Sequence, residues 1–503
     1  MAADHAVGVH PPSPQGPHHD VVIVGTGFAG LGAAIRLLQA GFSDLVLLER
    51  ADDLGGTWRD NRYPGCACDV PSRLYSLSFA RHPGWSRRFA PAAEIHAYLR
   101  QVAEAHGVTG RIRYGCAVTG ARWDAAAARW HVDTTQGPLT ARVLVLATGA
   151  LSNPVLPDVP GLTTFRGRVV HSAQWPGDLA LAGARVVVVG TGASAIQLVP
   201  AIQPQVAHLT LLQRTPAWIV PRHDRAVPPW VRRLYAAVPP LDTALRALTY
   251  ALREATFLPF RYPGVRRVTA LVARAHLRRQ VRDPALRAAL TPRYGMGCKR
   301  VLVSDDFYPA LQQPNVTLVS SALAAVEPDG VVAADGTRHP ADVLVCTTGF
   351  IPGGVPPAAA RIVGATGRSL AATWEADGMA AYASTTVAGF PNLFVIPGPH
   401  TGIGHTSLVY MLEAQVEHLV HALVHLRRAG QAWIAPRAAA QAADHAAVQA
   451  RMRGMVWVAG GCRSWYLDAR GENHTLWPDF TFRFRRRVAR WVADHYEGGV
   501  AHG

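Results

Sequence analysis

Two glycine-rich loops, each set between an apolar strand and a helix, predict an α/β fold with two dinucleotide-binding domains. They read Gly25-x-Gly27-x-x-Gly30 and Gly190-x-Gly192-x-x-Ala195. A third observation adds a helical insertion within the second domain. The stretch from about 228 to 290 lacks strand alternation and is punctuated by Pro239-Pro240 and Pro263-Gly264.

Taken in order, Val21-Val22-Ile23-Val24 is a buried strand, Ala29 to Ala40 has helical spacing, and Leu45-Val46-Leu47-Leu48-Glu49 is the next strand. Together they form a Rossmann-like βαβ unit. The unit recurs as Arg185 to Gly190, a helix through Leu198, and the strand Leu209 to Gln213. Val143 to Gly149 and Val343 to Phe350 are two further strands that end in small residues. Leu393 to Ile396 leads through Pro397 to Gly402 into a long helix from about Ser407 to Ala429, which completes the first domain. The expected division is a disordered tail over 1–19, the first nucleotide domain over 20–152, and the second over 153–222. The insertion follows over 223–295, the second domain resumes over 296–388, and the first resumes with a C-terminal segment over 389–503.

Composition narrows the function classes. A chain of 503 residues with 49% hydrophobic and 17% charged residues is an ordinary globular one. The net charge of +16 is almost all arginine, spread along the chain without interleaved aromatics, which argues against a nucleic-acid partner. No secretory leader and no apolar run of about 20 residues is present, so stable membrane insertion is not expected and a cytoplasmic enzyme is. Six scattered cysteines do not suggest a disulfide framework, and a reducing compartment fits them better. No metal site is expected. The tail histidines His5, His10, His18 and His19 belong to a floppy leader. Nothing in the sequence sets an oligomeric state.

In the first loop Gly25 permits the turn, Gly27 admits a pyrophosphate, and Gly30 lets helix pack on strand, with phosphates facing the helix N-terminus. Glu49 ends the following strand, where a carboxylate accepts from ribose hydroxyls. That order of elements points to FAD or NAD. In the second loop Ala195 replaces the third glycine, and the following strand ends in Gln213-Arg214-Thr215. An acid there would repel a 2′-phosphate, whereas the Arg214 fork binds one, so NADPH is expected over NADH.

Between the loops runs Phe165-x-Gly167-x-x-x-His171-x-x-x-Trp175-Pro176. Nearer the N-terminus stands Gly55-Gly56-Thr57-Trp58-Arg59-Asp60-Asn61-Arg62-Tyr63-Pro64-Gly65-Cys66-Ala67-Cys68-Asp69, with tryptophan where disulfide reductases carry a redox cysteine. Both runs match signatures of the type I Baeyer–Villiger monooxygenases, class B flavoproteins that use NADPH and O2 to insert oxygen beside a carbonyl. The resemblance extends to Gly297-Cys298-Lys299-Arg300, Gly402-x-Gly404-His405 and Arg463-Ser464-Trp465-Tyr466.

The resemblance implies FAD on the first loop, with Gly56, Thr57 and Trp58 beside it, and NADPH on the second, with Thr215 in its site. It makes Arg300 the catalytic arginine and Asp69 the carboxylate that orients it near the flavin. Lys299 would assist with the NADPH phosphate, and Trp465 would pack against the nicotinamide. His171 would position the linker. The implied reaction converts a ketone to an ester or lactone through a C4a-peroxyflavin held anionic by Arg300, with sulfides as further substrates. Two rivals stay open at this point: a heteroatom monooxygenase with the same cofactors, and an NADPH oxidase that does not transfer oxygen.

Overall fold

The computed structural model describes residues 16–350, 357–462, 464–468 and 470–501. The first fifteen residues of the expected tail, and Arg463, lie outside that range. The remainder of that tail differs from expectation, because the chain is already a strand at His18, in register with Thr140. Polar partners explain the early start: His18 Nδ1 lies 3.2 Å from Thr140 Oγ1, and His19 Nδ1 lies 3.0 Å from the Asp44 carboxylate.

Strand His18–Val24 runs through the middle of an eight-stranded sheet, parallel to Leu45–Leu48 on one side and Leu139–Leu146 on the other. Leu393–Val395 returns late in the chain to pair in parallel with Leu139–Leu146. An antiparallel ribbon of Val118–Asp124 and Arg129–Thr134 extends the sheet. Helix Phe28–Gln39 lies between this sheet and the long helix Leu408–Arg428. Its buried Ala29, Gly30, Ala33 and Ala34 keep it slim enough to pack on both sides.

The second sheet is wholly parallel, in the order Val316–Val319, His208–Leu212, Arg185–Val189, Val343–Cys346 and Arg168–His171. Its strands are Val- and Leu-rich because a parallel sheet is covered on both faces. Helices Pro229–Ala237, Pro239–Ala255, Leu258–Arg261, Pro263–Gln280 and Pro284–Ala289 separate its strands in sequence. Proline opens four of these five, using its fixed φ where no helical N–H is needed. Phe257 and Phe260 are buried here against His405 and Trp457, so the run Arg253 to Phe260 packs inward. Among the described residues no helix is long and apolar enough to cross a membrane.

The linker signature is explained by packing. A Cβ on Gly167 would sit 2.2 Å from the Asp342 carbonyl oxygen and 2.7 Å from the Phe165 ring, so only glycine fits. His171 ends its strand buried, donates from Nε2 to the Gly349 carbonyl at 2.9 Å, and accepts at Nδ1 from the Ala173 N–H. It thereby ties the two stretches of chain that cross between the domains. Burial holds its imidazole below the usual value, which suits a neutral positioning group.

The cysteines require a correction. Cys298 and Cys462 form a disulfide, with Cα atoms 6.2 Å apart across a sequence separation of 164. The fold brings the chain after the insertion against the C-terminal segment, where both sulfurs pack among Phe260, Met455, Trp457 and Tyr466. Distance along the chain hid the pair. Cys66, Cys68, Cys116 and Cys346 are free.

Candidate active site

The first loop leaves the carboxyl end of its central strand with Gly25 at φ +104°, where a Cβ would approach the Ala147 carbonyl oxygen to 2.5 Å. A Cβ on Gly30 would fall 1.9 Å from the Gly25 carbonyl oxygen. Nothing lies within 4 Å of the Cβ position on Gly27, which caps helix Phe28–Gln39 without a side-chain hydrogen bond. The helix N-terminus therefore offers open space and free N–H groups to a phosphate. Gly56 reaches over this opening, its Cβ position 3.4 Å from Gly27 Cα. Thr57 is exposed beside it, while Trp58 is buried with its indole N–H directed at the Tyr75 hydroxyl.

Glu49 is more committed than its sequence position suggests. One carboxylate oxygen accepts from Thr26 N–H at 3.2 Å and Thr26 Oγ1 at 2.6 Å. The other accepts from Ala51 N–H at 3.0 Å and pairs with Arg59 Nη1 at 2.9 Å. A ribose hydroxyl bound there must displace a protein donor, and the rotatable Thr26 hydroxyl yields most easily. Burial alone would lower the pKa of Arg59, but Glu49 and Asp60 outweigh it and raise the value.

A second set of groups faces the same domain. Thr401 Oγ1, Thr406 Oγ1, Ser407 Oγ and His405 Nδ1 are buried without a hydrogen-bond partner, while His405 Nε2 lies 3.4 Å from Glu254 Oε1. They crowd the start of helix Leu408–Arg428, whose cap Ser407 makes no side-chain bond. Buried polar groups rarely go unpaired, and a polar heterocycle such as a flavin would satisfy them. The residues present fit FAD.

In the second loop Gly190 takes φ +108° against Thr347, Gly192 has nothing within 4 Å of its Cβ position, and Ala195 is fully buried on the sheet. Gln213 turns inward and donates to the Ala289 carbonyl at 3.0 Å. Arg214 is exposed, and Thr215 accepts at its carbonyl from Thr191 Oγ1 at 3.0 Å. Lys299 lies close enough to Arg214 that its pKa falls, first through burial and then through that neighbouring charge. Two cations with no acid between them form a site for a phosphate. These residues fit NADPH.

Arg300 and Asp69 pair, Nη2 to Oδ2 at 2.5 Å, though 231 residues separate them; the Arg300 side chain is 45% exposed and that of Asp69 23%. Tyr63 to Asp69 reaches this place by docking on the helix of the second loop. Tyr63 donates to Gln197 Oε1 at 2.9 Å, and Gln197 Nε2 donates to the Ala67 carbonyl at 2.9 Å. A Cβ on Gly65 would lie 2.5 Å from the Gln197 carbonyl oxygen. Burial raises the Asp69 pKa, but the charge and hydrogen bond of Arg300, with the charge of Arg253, overcome it and hold the carboxyl below its usual range. Asp69 in turn raises the pKa of Arg300, so both partners stay charged.

Several neighbours are invisible to motif reading. Arg253 comes from the insertion, its Nε buried without a partner. Arg222 donates to the Cys68 carbonyl at 3.0 Å. Both add positive charge around Asp69, and only the tertiary fold places them there. Tyr466 is buried near Arg300, whereas Trp465 is 48% exposed and meets Tyr466 at a 54° tilt with ring centroids 4.6 Å apart. The Cys298–Cys462 bond lies two residues before Arg300 and three before Trp465, joining their segments. Burial pushes the Cys66 thiol up to about 11, so it is an inert packing group.

Residues 22–241 match the model of the pyridine nucleotide-disulphide oxidoreductase family. A Baeyer–Villiger monooxygenase of Streptomyces coelicolor is 49% identical, covering 95% of this chain and 92% of its own. One from Pseudomonas aeruginosa is 42% identical, covering 98% and 93%. The solved structure of OTEMO in complex with FAD and NADP superposes with a TM-score of 0.84 at 26% identity, over 96% of this chain and all of that one. On these similarities the chain belongs to the Baeyer–Villiger monooxygenase family.

Proposed function

We propose that this protein is an NADPH- and O2-dependent monooxygenase that holds FAD on its first loop and NADPH on its second, and converts a ketone to an ester or lactone. The observation that carries the reading is the Arg300–Asp69 pair, standing between a fitted flavin site and a fitted NADPH-phosphate site. Bound FAD, reduced by NADPH, supplies the activation of dioxygen. The chain's own residues do the rest. Gly25, Gly27 and Gly30 seat one pyrophosphate, with Gly56, Thr57 and Trp58 walling the flavin side and Glu49 reaching the ribose. Gly190, Gly192 and Ala195 seat the other, with Arg214, Thr215 and Lys299 around the 2′-phosphate and Trp465 at the nicotinamide end.

Arg300 presents a charge that cannot be lost at working pH to the negative charge that develops on oxygen as the carbonyl is attacked. Asp69 fixes the orientation of that charge. The docked Tyr63 to Asp69 loop makes the geometry depend on both domains, so Asp69 positions Arg300 only when they are closed on each other. Replacing Arg300 with alanine is expected to leave NADPH oxidation intact and to cut ester formation from a responsive ketone by roughly 10²- to 10³-fold. The assay is product analysis by mass spectrometry across a ketone panel, with peroxide measured in parallel. Normal ester yield from Arg300→Ala would overturn the assignment.

A further inference from the structure

Away from the nucleotide loops, three histidines from separate segments converge. His400 lies in the loop after strand Leu393–Val395, His445 on helix Ala438–Met452, and His474 on the C-terminal segment. Each offers a ring nitrogen, and these nitrogens all lie within 4.8 Å of one another. His400 and His474 are 2% and 5% exposed, while His445 is half-buried.

Two of the ring nitrogens have no hydrogen-bond partner. His445 Nδ1 and His474 Nδ1 are buried with no partner. His474 Nε2 is 2.9 Å from Asp468 Oδ2 and 3.6 Å from Glu472 Oε2, so its proton sits there and its lone pair sits on Nδ1. His400 Nε2 accepts from the Gln449 amide nitrogen at 3.2 Å, so its lone pair is there but engaged, and an ion would displace that donor. Three imidazoles thus bring ring nitrogens close together, with a carboxylate behind one of them; the His445 and His474 rings lie nearly parallel, at 13°, so one must turn for their lone pairs to meet. That carboxylate–histidine arrangement is the one that orients metal-ligating histidines.

We propose that His400, His445 and His474 form a binding site for a divalent transition-metal cation of the zinc class, with Asp468 orienting His474. Imidazole nitrogens bind zinc at about 2.0–2.1 Å, which sets them about 3.4 Å apart on a tetrahedral ion, so the nitrogens have to close in by about 1 Å each and the half-buried His445 ring has to turn. Water takes the fourth position. The ion would pin the segment that carries Trp465 to helix Ala438–Met452 and to the loop leading into Thr401 to Ser407. The sequence shows no spacing signal for it, because the ligands come from three distant segments.

The test uses the full-length, FAD-loaded protein stripped with a chelator and titrated with Zn2+, followed by calorimetry, metal content and melting temperature. One tight equivalent and a raised melting temperature are expected. His445→Ala should abolish both while its metal-free melting temperature and its NADPH oxidation stay as in the unmodified chain. Asp468→Asn should keep the equivalent but weaken it about 10- to 100-fold. Zinc held by the tail histidines is present in every variant and cancels in the comparison. No tight equivalent, or one that His445→Ala and His474→Ala both retain, would overturn the proposal.

Discussion

The two glycine loops start alike and part at the tip of the strand that follows each. After the first, Glu49 is 5% exposed and surrounded by Thr26, Ala51 and Arg59. After the second, Gln213 turns into the protein toward Ala289, and the exposed tip is Arg214 with Lys299 near it. The same backbone device thus ends in a buried anion in one domain and a free cationic pair in the other. On the proposed assignment, the glycines let a dinucleotide fit and the charge at the tip selects which one. It follows that the first tip should matter to folding as well as binding, and the second to binding alone.

The largest effect is expected from Glu49→Gln. The variant keeps an acceptor for Thr26 and for a ribose but strips the charge opposite Arg59, whose side chain is 5% exposed. Removing one partner of a buried pair costs about 3–5 kcal/mol, and the lower end applies here because Asp60 still faces Arg59. Chemical denaturation of the FAD-free protein should show this loss, and FAD affinity should fall with it. Unchanged stability with weakened FAD would mean that the Arg59 pair is incidental and that both tips serve binding only.

Arg214→Ala comes next. Charge-assisted hydrogen bonds are worth about 1.5–3 kcal/mol, so NADPH should weaken by roughly 10- to 100-fold. NADH should stay within about twofold and the melting temperature should not move, since Arg214 is exposed. Equal losses for the two cofactors would erase the contrast between the loops.

What could be read from the chain alone was what is local. Each glycine loop lies within a single strand–turn–helix, whereas Gly167 and Gly65 answer to the distant carbonyls of Asp342 and Gln197, so their motif was legible but its reason was not. The rest depends on segments that meet only after folding. Gln197 locks Tyr63 and Ala67 from more than 100 residues away, Arg253 approaches Asp69 from the insertion, and Cys462 finds Cys298. None of these pairs carries a periodicity or a spacing. Glu49 shows the opposite difficulty, since its place in the chain is easily recognised, while its partners Arg59 and Thr26 are fixed only by packing.

Lys299 offers the finest division of the second tip. Burial and the charge of Arg214 lower its pKa, so its positive charge disappears at a lower pH than that of an ordinary surface lysine. Arg214 keeps its charge throughout. The KM for NADPH should therefore rise on the alkaline side, by an amount of about three- to tenfold, the share of one cation in a two-cation site. NADH lacks the 2′-phosphate and should show no such limb. Lys299→Arg should flatten the NADPH profile while leaving turnover at neutral pH close to that of the unmodified chain. If the alkaline rise survives that substitution, the titrating group lies elsewhere, and the second loop recognises phosphate through Arg214 alone.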